Sequence, residues 1–210
     1  MAKKKVTIVN GASRRGLLIL LLVFLFAGCA SFSKNRLPEV KTLPPPTSGT
    51  SKPVVSFSFS SYVDNILWGQ ETNRNFESRL REEFFSVLND SGWFSHIVAG
   101  VYQGDIHIDL QVIKTDNPAA LLPAAVTAFS LYIIPSWETN YYIIKAKVRA
   151  NNEVCAYKLD DAMVTVRWLP LLVSLPLKHG SCVAREIRKN MWKNLICAMK
   201  EDGLLGSGRP

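Results

Sequence analysis

The chain has 210 residues, 25 of them basic and 17 acidic, for a formal charge of +8. Five of the basic residues (Lys3, Lys4, Lys5, Arg14 and Arg15) precede residue 29, and no acid precedes Glu39, so the remainder carries 20 basic against 17 acidic residues, or +3. So small an excess argues against a nucleic-acid binder, and roughly 150 residues beyond the leading segments suit one domain with its own core.

In chain order, the basic residues are followed by ten large apolar ones, 17–26, and then by Ala27, Gly28 and Cys29. A basic start, a short apolar run and a small-residue exit form an export signal. A spanning helix needs roughly twenty apolar residues, so this run is too short for a permanent anchor. Phe26-Ala27-Gly28-Cys29 resembles the bacterial lipobox, in which small residues precede an obligatory cysteine. The resemblance covers the first thirty residues. It implies cleavage between Gly28 and Cys29, a diacylglycerol on the Cys29 sulfur, and a fatty acyl chain such as palmitate on the new amino group. The family usually has Leu where this chain has Phe26. The residue after the cysteine is Ala30, where Asp would signal retention in the inner membrane; the resemblance therefore implies the outer membrane, facing the periplasm. One acyl chain binds only reversibly, whereas several hold a protein firmly without a spanning helix.

Residues 30–53 are rich in Pro, Ser, Thr, Lys and Gly, with Pro44-Pro45-Pro46 at their centre. Such a stretch cannot bury enough apolar surface to fold alone, and it predicts a disordered tether between the lipidated Cys29 and the domain. The domain is expected over 54–202, with 203–210 as a flexible tail.

Within the domain, Val55, Phe57 and Phe59 alternate with serines as a strand does. Phe76, Leu80, Phe84, Val87 and Leu88 recur at helical spacing, and Ser91-Gly92 ends that helix. A short extended piece is expected over 94–101. Gly104 opens a strand with Ile106, Ile108, Leu110 and Val112 on one face and Asp105, His107, Asp109 and Gln111 on the other. Residues 139–150 and 154–168 flank Asn151-Asn152, good turn chemistry for a long β-hairpin. Val183, Ile187, Met191, Leu195 and Ala198 share a face of a last helix, which Ser181 would cap. The expected fold is α+β, with two helices packed on a mainly antiparallel sheet containing the long hairpin. This order is similar to that of small envelope-assembly lipoproteins of the lipopolysaccharide-assembly type and of the N-terminal domain of the Tol-system propeller protein. The likeness lies in element order and carries no functional residues across.

Two uncharged apolar segments stand out, 118–135 and 168–177. The hairpin would bring both to its open end, with Trp137 and Trp168 near the seam. Pro123 and Pro135 leave eleven residues between them, about 16 Å as a helix against a hydrocarbon core near 30 Å, too short to span. Three readings are open: buried core, an apolar pole that docks a membrane or lipid, or a protein-docking surface. In the last two, Phe129, Trp137, Trp168 and Leu172 are the partner-binding residues.

Catalytic chemistry is sparse. Asp105, His107 and Asp109 share a strand face and could bind a metal loosely; a solvated strand face explains them more simply, and no metal or cofactor is expected. Asp160 and Asp161 are adjacent, hence on opposite strand faces, which is poor geometry for paired acid–base work. Cys182, near His179 at a helix start, is expected to be a buried structural cysteine. Cys182 and Cys197 lie roughly 22 Å apart along one helix and cannot bond, while Cys155 could pair with either or remain a thiol. Lys178, Arg185, Arg188, Lys189 and Lys193 gather on the last helix as a solvated face or a contact for anionic lipid. Taken together, a non-enzymatic, lipid-anchored envelope lipoprotein is expected, binding an envelope protein or lipid through the apolar pole. The alternatives are an anchored periplasmic enzyme or metal-binding protein and a self-associating structural lipoprotein.

Overall fold

The computed structural model describes residues 29–46, 51–65, 69–71, 74–100, 104–150, 153–171 and 180–205. Residues 1–28, where the export signal is expected, Asn151-Asn152, Leu172 and His179 lie outside the described residues. Strands β1 (Cys29–Ser33), β2 (Val54–Asn65) and β3 (Gly69–Glu71) precede helix α1 (Arg74–Ser91). Strands β4 (His96–Ala99) and β5 (Ile106–Asp116) follow. A 3-10 turn (Pro118–Ala120) leads into helix α2 (Leu121–Phe129). The hairpin β6 (Ser136–Ala150) and β7 (Glu153–Arg167) comes next, and helix α3 (Gly180–Glu201) is last. Helix α3 starts at Gly180, so Ser181 lies inside its first turn.

The strands form one seven-stranded sheet in the order β1-β7-β6-β5-β2-β3, with β4 also on β2. Pairing is antiparallel except where β2 meets β4 and β5, which run parallel to it. The fold is α+β, with α1 and α3 on the sheet as their apolar spacing requires. Strand alternation sends Val55, Phe57, Ile106, Ile108, Ile144 and Val148 to the helix side, where all are buried. They meet Leu80, Phe84 and Leu88 of α1 and Met191, Trp192 and Leu195 of α3. Phe84 stands at the centre, edge-on to Phe57 at 5.3 Å and tilted against Trp192 at 5.0 Å. The turn after α1 uses Gly92 at φ 67, a conformation that favours glycine. Across the helices, Glu83 receives both Arg188 Nε and Nη2 at 2.8 Å, and the guanidinium also lies over the Tyr142 and Phe76 rings. The basic face of α3 is therefore partly engaged within the fold, not simply solvated: Arg188 is buried in this pair.

Two expectations about domain limits are corrected. Residues 29–46 are not a free tether. β1 pairs with β7 from Cys29↔Arg167 to Ser33↔Met163, and Leu37 and Leu43 pack against the core. The backbone beyond β1 is captured by polar side chains one turn apart on α3. Asn190 Oδ1 accepts from Val40 N at 2.9 Å, and Asn190 and Asn194 amides both donate to Pro38 O at 3.0 Å. Lys193 Nζ donates to Val40 O at 2.9 Å, and Trp93 Nε1 donates to Pro44 O at 2.9 Å. A proline-rich backbone has unspent carbonyls, and here a helix face supplies their donors. At the other end, Leu204 and Leu205 are buried, so the domain continues through 205 and the tail expected from 203 is in part core. The domain thus spans 29–205, not 54–202.

Candidate functional site

The hairpin register sets Ser136 opposite Arg167 and Trp137 opposite Val166. The first apolar segment enters the sheet there and the second leaves it. A backbone bond from Leu169 N to Tyr132 O, 2.8 Å, ties the two together. Strand β1 begins at the same place, since Cys29 faces Arg167. Helix α3 also starts there: a Cβ on Gly180 would come within 2.9 Å of Ser31 Oγ. The apolar segments, the first residue of β1 and the start of α3 share one pole of the sheet.

The pole is exposed. Phe129 is 90% exposed, Leu122 75%, Ile133 66% and Trp137 66%. Leu121, Val126, Leu131, Ile134 and Trp168 are exposed as well. From 118 to 134 only Ala120 and Thr127 are buried. The core reading of residues 118–135 is thereby overturned. Among the described residues nothing covers this surface, because α2 packs beside the end of β6. Leu172 lies outside the described residues.

The backbone that carries these side chains is cross-tied by hydrogen bonds. Thr127 Oγ1 donates to Pro123 O at 2.9 Å, and Tyr132 N donates to Thr127 O at 2.8 Å. Ser130 Oγ donates to Thr127 O and accepts from Ile134 N, at 3.0 and 3.1 Å. The turn that results places Leu131 at φ 52 and Tyr132 at φ 64, a left-handed conformation that costs a bulky residue roughly 1–2 kcal/mol. Charges at the rim are paired: Arg167 Nη2 with Glu138 Oε2 at 2.5 Å, Lys114 Nζ with Asp116 Oδ1 at 2.7 Å.

The opposite candidate, on the helix-free face of the sheet, is a polar row. His107 Nε2 lies 3.0 Å from Asp109 Oδ1, and Ser56 Oγ lies 2.8 Å from His107 Nδ1. Ser58 Oγ donates to Asp109 Oδ1, and Arg149 Nη2 is 3.1 Å from Asp109 Oδ2. The Ser58 hydrogen bond, aided by His107 and Arg149, holds the Asp109 carboxyl below the usual carboxylate range against the opposing effect of burial. The sequence correctly puts His107 and Asp109 on one face, but that face is not solvated at His107, which is 4% exposed. Asp105 does not join them: its Oδ2 accepts from Val54 N at 2.8 Å. Ser56 is fully buried, so this serine–histidine–aspartate chain has no substrate side. Among the described residues no three His, Cys, Asp or Glu side chains gather for a metal ion. Further along the same face, a trough of about 570 Å³ runs between Ser58, Asp109 and Lys147 on one side and Gln111, Lys145 and Lys158 on the other.

Other sequence candidates are spent on structure. Asp160 pairs with Arg36 Nη1 at 3.0 Å, while Asp161 Oδ1 accepts from Arg36 N and Ala162 N. Cys155 and Cys197 are partly buried free thiols, and burial raises the pKa of Cys197, whereas Cys182 is an exposed free thiol on the first turn of α3 and not the buried structural cysteine expected there. Sequence reasoning found the pole but missed its closeness to Cys29, because the arm that joins them was read as free chain.

No protein-family model matches the chain. No curated protein matches it either. Among solved structures, a dodecameric PelC from Paraburkholderia phytofirmans is similar at 8% identity and TM-score 0.31, over 80% of this chain and 94% of that one. A putative neuraminyllactose-binding hemagglutinin homolog from Helicobacter pylori is similar at 7% identity and TM-score 0.40, over 81% and 90%. At these TM-scores neither likeness carries a functional argument.

Proposed function

We propose that this chain is a non-enzymatic envelope lipoprotein, cut before Cys29, acylated on that residue and held to the outer membrane facing the periplasm. It binds an envelope protein or a lipid through the apolar pole formed by 118–137 and 168–177. The observation that carries the binding reading is the pole itself: nine large apolar side chains are exposed there, seven of them on a hydrogen-bonded, uncharged turn-and-helix unit and the other two, Trp137 and Trp168, at the adjoining end of the hairpin. Patches of that kind on a monomer mark an interaction surface. The lipobox resemblance supports the anchor, and among the described residues no helix is long and apolar enough to cross a membrane.

Two measurements test the two halves. Metabolic labelling with an alkyne fatty acid should mark the protein, whose N-terminal peptide should begin at an acylated Cys29. Cys29→Ser should be unlabelled and keep its first 28 residues. A wild-type chain that is unlabelled and uncut would overturn the anchor. A photo-crosslinking residue in place of Phe129, used in intact cells, should give adducts with lipid or an envelope protein. Adducts only with a second copy would replace the binding reading by self-association, and none at all would remove it.

A further inference from the structure

We propose that the occupant of the pole is the bilayer that holds the lipid on Cys29, so that the domain lies against the membrane with Phe129, Ile133, Trp137 and Trp168 in the headgroup region. The inference rests on the lipoprotein reading for which membrane is meant. Its own support is geometric. β1 begins at Cys29 itself, paired with Arg167, the residue before Trp168. Neighbouring strands are about 4.8 Å apart, so the backbones of Cys29 and Trp168 are within about 10 Å. No free chain separates them. Acyl chains on Cys29 that enter the bilayer draw this end of the sheet to headgroup level.

The chemistry of the pole agrees. Residues 118–135 carry no charge, and the rim charges Arg167, Glu138, Lys114 and Asp116 are paired within the fold. Helix α2 has nine residues, about 14 Å, so it can lie in the interface but cannot cross. Trp137 and Trp168 beside Tyr132 are the side chains that settle at headgroup level. A soluble protein partner would have to enter between the domain and the bilayer, a gap that the absence of a tether closes.

The test uses the mature protein purified from cells in detergent and reconstituted into phosphatidylethanolamine–phosphatidylglycerol vesicles containing lipids brominated near the headgroup end of the chains. Tryptophan fluorescence should be quenched. Most of the quenching should vanish in Trp137→Phe/Trp168→Phe. It should also be lost in Phe129→Asp/Ile133→Asp, whose circular dichroism and acylation should stay those of the wild type. High salt should leave the quenching unchanged, since the contact is apolar. Acylated wild-type protein without quenching would overturn the proposal and turn the pole to a protein partner or a second copy, while leaving the anchor standing. Quenching that survives in Trp137→Phe/Trp168→Phe would also overturn it, since another tryptophan would be reporting. Unacylated protein that is nevertheless quenched on added vesicles would keep the bilayer contact and remove the anchor. Unacylated, unquenched protein would remove both.

Discussion

The arm at 30–46 and the segment at 118–135 invert what their compositions suggest. The arm is polar and proline-rich, yet it forms a strand and packs on the domain. The segment at 118–135 is apolar and uncharged, yet most of its side chains stay out of the core. Composition sets what a segment can do alone; neighbours decide what it does in the fold. The arm finds donors on α3 that match its unpaired carbonyls. The apolar segment is hydrogen-bonded to its own turn and to Leu169, which keeps it at the end of the sheet.

The arm depends on α3, and α3 is fixed to α1 by the ion pair of Arg188 with Glu83, whose side chains are 11% and 14% exposed. Arg188→Ala leaves a largely buried carboxylate with only the longer, 3.7 Å contact to the exposed Arg185 Nε, and breaking such a pair costs about 3 kcal/mol. Urea unfolding should show that loss, and Arg188→Met with Glu83→Gln should recover part of it. If Arg188→Ala were neutral, α3 would be held by apolar packing alone.

A smaller effect is expected within the arm. Asn190→Ala/Asn194→Ala removes three hydrogen bonds to Pro38 and Val40, each worth about 1 kcal/mol. Two of the three are exposed to competing water, so the expected loss is up to about 2 kcal/mol and should come with new proteolytic cuts between 34 and 46. Unchanged stability and an unchanged digest would return the arm to the status of a tether.

The open sheet face supplies a control that touches neither region. Asp109 has a folded pKa below its ordinary value, so its contribution is present above about pH 4 and is lost as pH falls through the lowered folded value. Asp109→Asn should flatten this part of the acid limb of the stability curve. The effect should be the smaller of the two, because the carboxylate is 35% exposed and screened. An unchanged acid limb would mean that Ser58 and His107 add nothing to it.

Much of this fold is legible in the sequence. The period-2 runs at Val55–Phe59 and Ile106–Val112, the asparagine pair between β6 and β7, and the helical spacing of Leu80, Phe84, Val87 and Leu88 each have one physical explanation. The hairpin also brings Trp137 and Trp168 to one end. What is hidden has a physical reason too. Asn190, Lys193 and Asn194 look like an ordinary solvated helix face, and nothing local says that a distant proline run lies on them. An apolar run such as 124–134 reads the same whether it is core or surface, since burial is a property of what stands opposite. The parallel pairing of β2 with β4 and β5 depends on the crossover through α1, which no local pattern encodes.

The smallest stability effect is expected where the exposed hydrophobicity is greatest. Phe129→Asp places a charge on a side chain 90% exposed at the end of α2. It removes little burial and strands no buried partner, so unfolding free energy should stay within about 0.5 kcal/mol of wild type. An acid at a helix C-terminus costs a few tenths of that scale through the helix dipole, which sets the sign as slightly destabilising. The same substitution in a core phenylalanine such as Phe84 would unfold the domain. A large loss for Phe129→Asp would mean that the pole is folded over in solution and that its side chains are core after all. A neutral stability with a changed membrane contact would separate the two roles of apolar surface in this chain: one holds α1 and α3 to the sheet, and the other is kept out of the core for something beyond the chain itself.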